Sequence, residues 1–451
     1  MDSSKKASFT SRFGLIASSA AAAVGLGNIW RFPAEVAANG GGIYLLIYLF
    51  FTILIGFPMV ASELALGRKS GKGSFAAYEG RWQWMGFVSP LIAWSVLGFY
   101  HVLSAWVLSY AYKTIRGDLF THPHYEAVFE NMKSTASANL IFLAIIILCV
   151  VMITQKNISH GIEKLSKVAM PLLLVMILGL VLYALTLPHA FQGVSFYLFP
   201  RWDKFSFSAV ISALNQSFMS LGIGAGVSIA YGSYARKKEN FMYSSALIVM
   251  SDLLIAFLAG FFLFPFLFYQ DPTVNPQSQG VALTFIHLPA IFASMGKYQG
   301  LWVGFIFFSL LWLAAMTSSV ALLEVPTQFL CHRYDMKRKK VVLLLAGSSF
   351  LLSSAIILSH AGIPLFHLRL WGKDLMDWVI FFAVDIAQPL MASLFCIYIA
   401  RYWGISALIA ELEKGGELPA WQKKLLYITI GYLAPMTIGS TLLLSLLRFL
   451  E

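Results

Sequence analysis

The chain has 451 residues, of which 59% are apolar and only 12% are charged. Soluble domains carry roughly 25% charged residues, so this composition excludes an ordinary soluble enzyme. The net charge of +11 would suggest nucleic acid as the partner of a soluble protein, but here basic loops on one side of a membrane explain it. We therefore predict an all-α polytopic membrane protein with no nucleic-acid partner.

Eleven stretches of the chain are long and apolar enough to cross a bilayer, which takes about 20 residues of helix. They cover residues 11–36, 41–67, 86–112, 139–155, 161–187, 206–235, 241–269, 300–331, 340–359, 378–402 and 422–449. A shorter apolar run at residues 281–295 predicts a re-entrant or capping helix. With a cytoplasmic N-terminus most basic residues fall in cytoplasmic loops, and eleven spans place the C-terminus outside.

Glycines interrupt one apolar span in each half of the chain, at Gly25 and Gly27 and again at Gly222, Gly224 and Gly226. Non-helical backbone at membrane depth is tolerated only where protein or a water-filled cavity satisfies its polar groups. Paired interruptions of this kind point to the binding site of a transporter. We predict one transmembrane domain over residues 1–451, with inverted repeats at about 11–187 and 206–402 and an additional helix at 422–449.

The first break offers groups for ions of either sign, because unwinding frees carbonyls and amides at two helix ends. The amides of Leu26 and Gly27 suit a carboxylate. The oxygen atoms that suit a small hard cation such as sodium are the carbonyls of Ala21, Ala23 and Val24 and the side chain of Asn28. The alternative is close helix–helix contact through small residues.

Polar side chains recur in other predicted spans. Ser220 offers a hydroxyl beside the second break, and Thr317 and Ser318 follow Ala314 in the eighth span, where they either reach an ion or bond back to the preceding turn. Intramembrane acids are costly, so Glu63, Asp252 and Glu324 are candidates for function or for buried networks. The hydroxyl of Tyr100 is a candidate donor to a ligand carboxylate or to a backbone carbonyl, and we interpret His101 as a packing residue.

At residues 23–33 the chain reads AVGLGNIWRFP, followed by NGGG at 39–42, which resembles the first-helix signature of the neurotransmitter:sodium symporter family. Further motifs resemble four other helices of that family. Residues 56–63 with 66–68 resemble its second helix, Gly161 with Pro171 its fifth, residues 220–222 with 231–234 its sixth, and residues 317–319 its eighth. The resemblance implies a 5+5 inverted-repeat (leucine-transporter-like) fold. It also implies sodium-coupled symport in a bacterial inner membrane.

Two sodium sites follow from the resemblance. The first would use the Ala23 carbonyl, Asn28, Ser220, a polar residue of the seventh span and the substrate carboxylate. The second would use the carbonyls of Ala21, Val24 and Ala314 with the hydroxyls of Thr317 and Ser318. For the seventh-span ligand either Asp252 or Ser251 fits, and we prefer Asp252. A fixed carboxylate there predicts that chloride is not required.

The resemblance also implies an outer gate and an inner gate. Arg31 would form the outer gate with Asp377, or with Asp385. At the inner gate Lys6 stands where the family usually carries arginine, and His332 stands at the usual acidic partner position, with Asp335 nearby. We group the intramembrane acid Glu63 with these gate residues.

The predicted substrate pocket departs from the family pattern at Met219, which replaces the usual aromatic lid, and at Ala225, which replaces a bulky ring. Its predicted lining is Ala22, Ala23, Leu26, Gly27, Val96, Tyr100, Met219, Ser220, Gly222, Ala225, Ser318 and Leu322. Methionine adapts its shape to varied apolar partners, so we predict a preference for bulky or aromatic neutral L-amino acids.

Two alternatives remain open from the sequence. One is a proton-coupled or otherwise coupled carrier of amino acids or amines with the same fold, and the other is an amino acid sensor that does not transport. An enzyme is not predicted, because the sequence lacks the His-Glu-x-x-His and Gly-x-Ser-x-Gly motifs. The sequence does not indicate an oligomeric state.

Overall fold

The computed structural model describes residues 8–120, 124–271, 280–363, 366 and 371–450, with side chains described to residue 443. Lys6, the predicted inner-gate residue, lies outside the described residues. The described chain is built from helices, and its isolated β-bridge joins Gly41 to Pro200. The predicted all-α class is confirmed.

The helices of the first half are α1 (Arg12–Ala23), α2 (Gly27–Ala38), α3 (Gly42–Ser70), α4 (Met85–Arg116), α5 (Tyr125–Ser134), α6 (Ala136–Thr154), α7 (Ile162–Ala184) and α8 (Ala190–Leu198). Those of the second half are α9 (Phe207–Leu221), α10 (Val227–Ser233), α11 (Phe241–Leu267), α12 (Leu283–Ser294), α13 (Lys297–Tyr334), α14 (Arg338–His360), α15 (Leu375–Trp403), α16 (Ile405–Glu413) and α17 (Ala420–Leu443). Short 3-10 turns lie at Ser74–Ala76, Gly80–Trp82, Asp118–Phe120 and Trp202–Lys204.

Among the described residues, nine helices are long and apolar enough to cross a membrane, or ten if α1 and α2 form one span. The predicted count of eleven is not confirmed. The difference is the predicted span 206–235, which the structure divides into α9 and α10, each shorter than a bilayer is thick. The apolar helix α12 lies within the predicted capping run at 281–295.

The two glycine-rich segments are breaks between helices, as the sequence predicts. The axes of α1 and α2 differ by 52° across residues 24–26. Between α9 and α10, Gly222, Gly224 and Gly226 have φ values of 64°, 85° and 81°, which side chains other than glycine rarely adopt. The backbone can therefore leave the helix at the second break without steric strain, whereas at the first break it leaves through Val24, with a φ of −70° and a ψ of 100°.

The long helices α4 and α13 pack along each other and form one wall of the core, with α1 between α7, α11 and α13. Helices α3 and α10 approach each other closely at two glycines. A Cβ atom on Gly67 would lie 2.1 Å from the Ile229 carbonyl oxygen, and one on Gly232 would lie 2.2 Å from that of Leu64. This close packing fixes α10 against α3, and with it the end of the second break at Gly226.

We expect Gly67→Ala to destabilise the protein by about 1–3 kcal/mol, because the added methyl group meets backbone that cannot rotate away. Gly179→Ala is the matched control, because nothing lies within 4 Å of a Cβ atom at that glycine. Thermal unfolding of both purified variants in detergent measures the effect. Equal melting temperatures for the two variants would contradict the packing argument.

Candidate functional site

The two breaks meet at one cavity near the centre of the molecule. Its walls come from α1, α2, α9 and α10 and from the long helices α4 and α13. Eleven of the twelve predicted substrate residues line it: Ala22, Ala23, Gly27, Val96, Tyr100, Met219, Ser220, Gly222, Ala225, Ser318 and Leu322. Leu26 lines a second cavity directly beyond, which also contacts Tyr100 and Met219.

Tyr100 fastens the first break to α4. Its hydroxyl accepts a hydrogen bond of 3.0 Å from the Leu26 amide, one of the donors freed where α1 ends. Gly25 lies so close that an added Cβ atom would be 2.6 Å from this hydroxyl and 2.8 Å from Ser318 Oγ. The Leu26 amide and the Tyr100 hydroxyl therefore face the same small space beside the unwound segment.

Asn28, Ser220 and Asp252 form a buried polar cluster between the two breaks. Asn28 Nδ2 donates to Asp252 Oδ1 at 2.7 Å and to Ser220 Oγ at 3.0 Å. The Ser220 hydroxyl lies 2.9 and 3.0 Å from the two carboxylate oxygens of Asp252. Asn28 Oδ1 accepts from the Gly25 amide at 3.1 Å, so the cluster also holds the backbone of the first break.

The structure separates the two seventh-span candidates. Asp252 is 0% exposed and lies in the cluster with Asn28 and Ser220. The hydroxyl of Ser251 instead donates to the Leu247 carbonyl of its own helix at 2.7 Å. Neighbouring residues of a helix point in directions about 100° apart, so only one of the two can face the cavity.

Tyr48 belongs to this cluster, although the sequence did not single it out. Its hydroxyl donates to Asp252 Oδ2 at 3.3 Å, and its ring is fully buried against Phe32. Among the described residues, the side-chain hydrogen-bond partners of the Asp252 carboxylate are therefore the neutral groups of Asn28, Ser220 and Tyr48. A buried carboxylate with neutral partners is a strong attractor for a cation.

A second group of oxygen atoms lies where α13 meets the end of α1. Ser318 Oγ donates to the Ala22 carbonyl at 3.2 Å and lies 3.4 Å from that of Val24. The Thr317 hydroxyl bonds back to the Ala314 carbonyl at 2.9 Å. The structure thus brings Ser318 to the first break, whereas Thr317 makes the local bond that serines and threonines often make in helices.

The second break is held by two side chains from other spans. The Gly224 amide donates to Glu63 Oε1 at 2.9 Å, and Gln388 Nε2 donates to the Ile223 carbonyl at 3.0 Å. Glu63, grouped with the gates in the sequence analysis, thus lies at the second break. Gln388 was not predicted, because a single glutamine in an apolar span forms no motif with other polar residues of the sequence.

Of the predicted outer-gate residues, Arg31 and Asp377 line one cavity on the far side of Met219, whereas Asp385 does not line it, and both Arg31 and Asp377 have other partners. Arg31 forms an ion pair of 3.7 Å with Glu35 and hydrogen-bonds Met219 Sδ. The Asp377 side chain accepts from the Asp374 amide in a capping box at the start of α15. Arg31 and Asp377 both face this outer cavity, and their pairing stays a prediction.

On the opposite side, where α1 begins, Glu324 lies in a buried network rather than at the central cavity. It is 0% exposed, pairs with Arg338 at 2.5 Å and accepts from the Tyr234 hydroxyl at 2.7 Å. His332 lies in the last turn of α13, and Asp335 ends that helix at a φ of 50°.

A sequence model of the sodium:neurotransmitter symporter family matches residues 6–137 and 124–450, nearly the whole chain. The chain belongs to this family. It is 32% identical to an uncharacterised sodium-dependent transporter, YhdH, of Bacillus subtilis (strain 168), over 92% of each chain. It is 27% identical to a sodium-dependent serotonin transporter of Drosophila melanogaster, over 95% of this chain and 74% of that protein.

Among solved structures, that of MhsT in complex with L-phenylalanine is similar to this chain. The TM-score is 0.87 at 31% sequence identity, and the match covers 97% of this chain and 99% of the other. The relatives are transporters rather than enzymes. The chain is therefore an integral membrane protein of a sodium-dependent transporter family.

We expect Asp252→Asn to weaken sodium binding at least tenfold, because it removes the negative charge but keeps the shape of the buried cluster. Sodium titration monitored by intrinsic tryptophan fluorescence or by scintillation proximity with a labelled amino acid measures the affinity. Ser251→Ala is the matched control, one residue away and outside the cluster. If the two variants bind sodium equally well, Asp252 is not a sodium ligand.

Proposed function

We propose that this protein is a secondary symporter that uses sodium to import neutral, hydrophobic L-amino acids, with a preference for bulky or aromatic ones, by alternating access. One observation carries the proposal: a single cavity, formed where two broken spans meet, has polar groups around the first break, which we call its polar end, and apolar side chains elsewhere in its lining, which we call its apolar end. Such an arrangement suits an amphiphilic molecule with a charged head and an apolar tail.

The polar end fits the head group of an amino acid. The Leu26 amide and the Tyr100 hydroxyl, which bond to each other in this structure, would both donate to a carboxylate placed beside them, and helix ends carry partial charges that favour it. Because the described residues that line the cavity include no Asp or Glu, an amine without a carboxyl group would lack a counter-charge there. The head group thus favours amino acids over simple amines.

We propose two sodium sites beside this head group. The first consists of the Ala23 carbonyl, Asn28, Ser220 and Asp252, with the substrate carboxylate, and is supported by the neutral partners of the buried Asp252 carboxylate. The second consists of the carbonyls of Ala21, Val24 and Ala314 with Thr317 and Ser318, and is supported by the approach of Ser318 to the first break. The negative charge of Asp252 makes chloride unnecessary.

The apolar end favours large side chains. Val96, Phe99, Ala225, Leu322 and Val384 line it, and Ala225 leaves space that a larger residue would fill. The similarity to a transporter solved with L-phenylalanine agrees with a site of this shape. We propose aromatic and branched amino acids as the substrates.

Transport then follows from the breaks. Ligands that bridge the two halves order the broken spans, and each ligand shifts the conformational equilibrium only by its differential affinity for the states. Release to the other side would involve unwinding of α7 between Gly161 and Pro171. We place the protein in the bacterial inner membrane, with the N-terminus cytoplasmic, the C-terminus outside, and the two inverted repeats at 11–187 and 206–402.

Uptake of labelled Trp, Phe, Tyr, Leu and Ala into proteoliposomes, driven by sodium or by potassium, tests the proposal. We expect sodium-driven accumulation that favours Trp, Phe, Tyr and Leu over Ala. Sodium-dependent binding without flux would indicate a sensor, and flux that follows a proton gradient in potassium would indicate a proton-coupled carrier. If neither binding nor flux depends on sodium, both proposed ion sites are wrong.

We expect Ala225→Phe to reduce uptake of Trp and Phe about tenfold or more relative to Ala, because the added ring fills the apolar end of the cavity at a cost of roughly 1–3 kcal/mol for bulky ligands. Competition of the amino acid panel against one labelled substrate measures the change in preference. Ala225→Ser is the control, since it keeps the small volume. An unchanged ranking in Ala225→Phe would place the substrate side chain elsewhere.

A further inference from the structure

The segment that leads into α1 is bound to several parts of the protein. The Phe9 amide donates to the Tyr234 carbonyl at 3.1 Å, and its ring packs edge-on against Tyr231 with centroids 5.7 Å apart. The Thr10 carbonyl accepts from Arg236, and Arg12 pairs with Glu239 at 2.9 Å. This segment, residues 9–12, closes the protein on the side where α1 begins.

Its most buried polar contact is with Glu163, in the first turn of α7. The side chain of Glu163 is 1% exposed, and Oε2 accepts from the Thr10 amide at 2.9 Å. Oε1 accepts from the Thr10 hydroxyl and forms an ion pair of 2.6 Å with Lys167. One carboxylate therefore satisfies both a backbone donor and a side-chain donor of the segment.

Gly14 provides the space for this contact. A Cβ atom on Gly14 would lie 2.0 Å from Glu163 Oε1 and 2.4 Å from its carboxyl carbon. The Glu163 side chain thus lies directly on the backbone of α1, one turn beyond Thr10. The fit indicates that α1 and α7 are shaped around the carboxylate.

We propose that Glu163 is the latch of the inner side: a positioning residue that holds the start of α1 against α7 and must release Thr10 before the substrate can leave. The proposal rests on the proposed alternating-access function. Arg12 is 51% exposed in its pair with the 4% exposed Glu239, and solvent weakens an ion pair that has an exposed member. The hydrogen bonds of the buried Glu163 carboxylate contribute more, since charged groups form the stronger bonds.

The position of Glu163 connects the latch to α7. It lies two residues after Gly161, where the helix begins and where the proposed transport cycle unwinds α7. Unwinding of this first turn would withdraw the carboxylate from Thr10. Water entering the opened space would then hydrate both Glu163 and Lys167, so the latch opens without leaving a charge unsolvated.

The test measures conformation rather than flux. Cys149, Cys331 and Cys396 are replaced by Ala in the full-length chain, and Ser233→Cys, at a position only 4% exposed and next to Tyr234, serves as the reporter. Its rate of maleimide labelling in potassium and in sodium is normalised to labelling in denaturant. The variants are Glu163→Gln, Gly14→Ala and, as the matched control, the exposed Lys164→Gln on the same helix.

We expect Glu163→Gln to be labelled about tenfold faster than the parent in potassium, because hydrogen bonds to a charged group shift an equilibrium by roughly that factor or more. Gly14→Ala should act in the same direction with Glu163 intact, and Lys164→Gln should match the parent. Should Glu163→Gln fail to fold, Gly14→Ala decides alone.

Parental labelling rates in both Glu163→Gln and Gly14→Ala would overturn the latch, as would an equal acceleration in Lys164→Gln. Uptake by the parent is measured in parallel. If the parent shows no sodium-driven uptake, the proposed function fails, whereas the labelling rates still decide whether Glu163 holds the inner side closed.

Discussion

The constraint on which this structure depends is that backbone amides and carbonyls at membrane depth need hydrogen-bond partners. Residues 24–26 and 222–226 leave the helical pattern where no bulk water is expected, and each freed group would cost several kcal/mol if it stayed unsatisfied. Side chains supply the partners, and three of the four come from other spans. Tyr100 accepts from Leu26, Asn28 accepts from Gly25, Glu63 accepts from Gly224, and Gln388 donates to Ile223.

These partners explain why the site lies where it does. Tyr100, Glu63 and Gln388 each reach a break from another span, so each of these contacts draws that span towards the cavity. Asn28 shows the consequence: it binds the first break through Oδ1 and, through Nδ2, Ser220 beside the second break and Asp252 of α11. The groups that satisfy the backbone and the groups proposed to bind sodium are therefore partly the same. In the proposed mechanism, sodium binding and the ordering of the broken spans are coupled for this reason.

The sequence predicted the breaks and most of the cavity lining, because glycine in an apolar span is a local signal that needs no tertiary contact. The sequence could not decide between Asp252 and Ser251, because a span that is apolar on all sides does not show which face of its helix points to the cavity. Tyr48 and Gln388 were missed for a related reason. Each is a lone polar side chain whose partner lies far away in sequence, as with the 204 positions between Tyr48 and Asp252. The count of eleven spans was not confirmed, because the predicted span 206–235 consists of two helices that are each too short to cross a bilayer.

The carboxylates with the least exposure among the described residues divide into two classes by their partners. Glu163 and Glu324, on the side where α1 begins, are paired with Lys167 and Arg338. Glu63 and Asp252, at the two breaks, have neutral hydrogen-bond partners among the described side chains and backbone. An ion pair within the protein needs nothing further, whereas a buried carboxylate with neutral partners still lacks a counter-charge. The first class therefore suits contacts that form and break during a conformational change, and the second suits the attraction of a cation from solution. The hydrogen-bond partners of a buried acid thus indicate which of these two roles it suits.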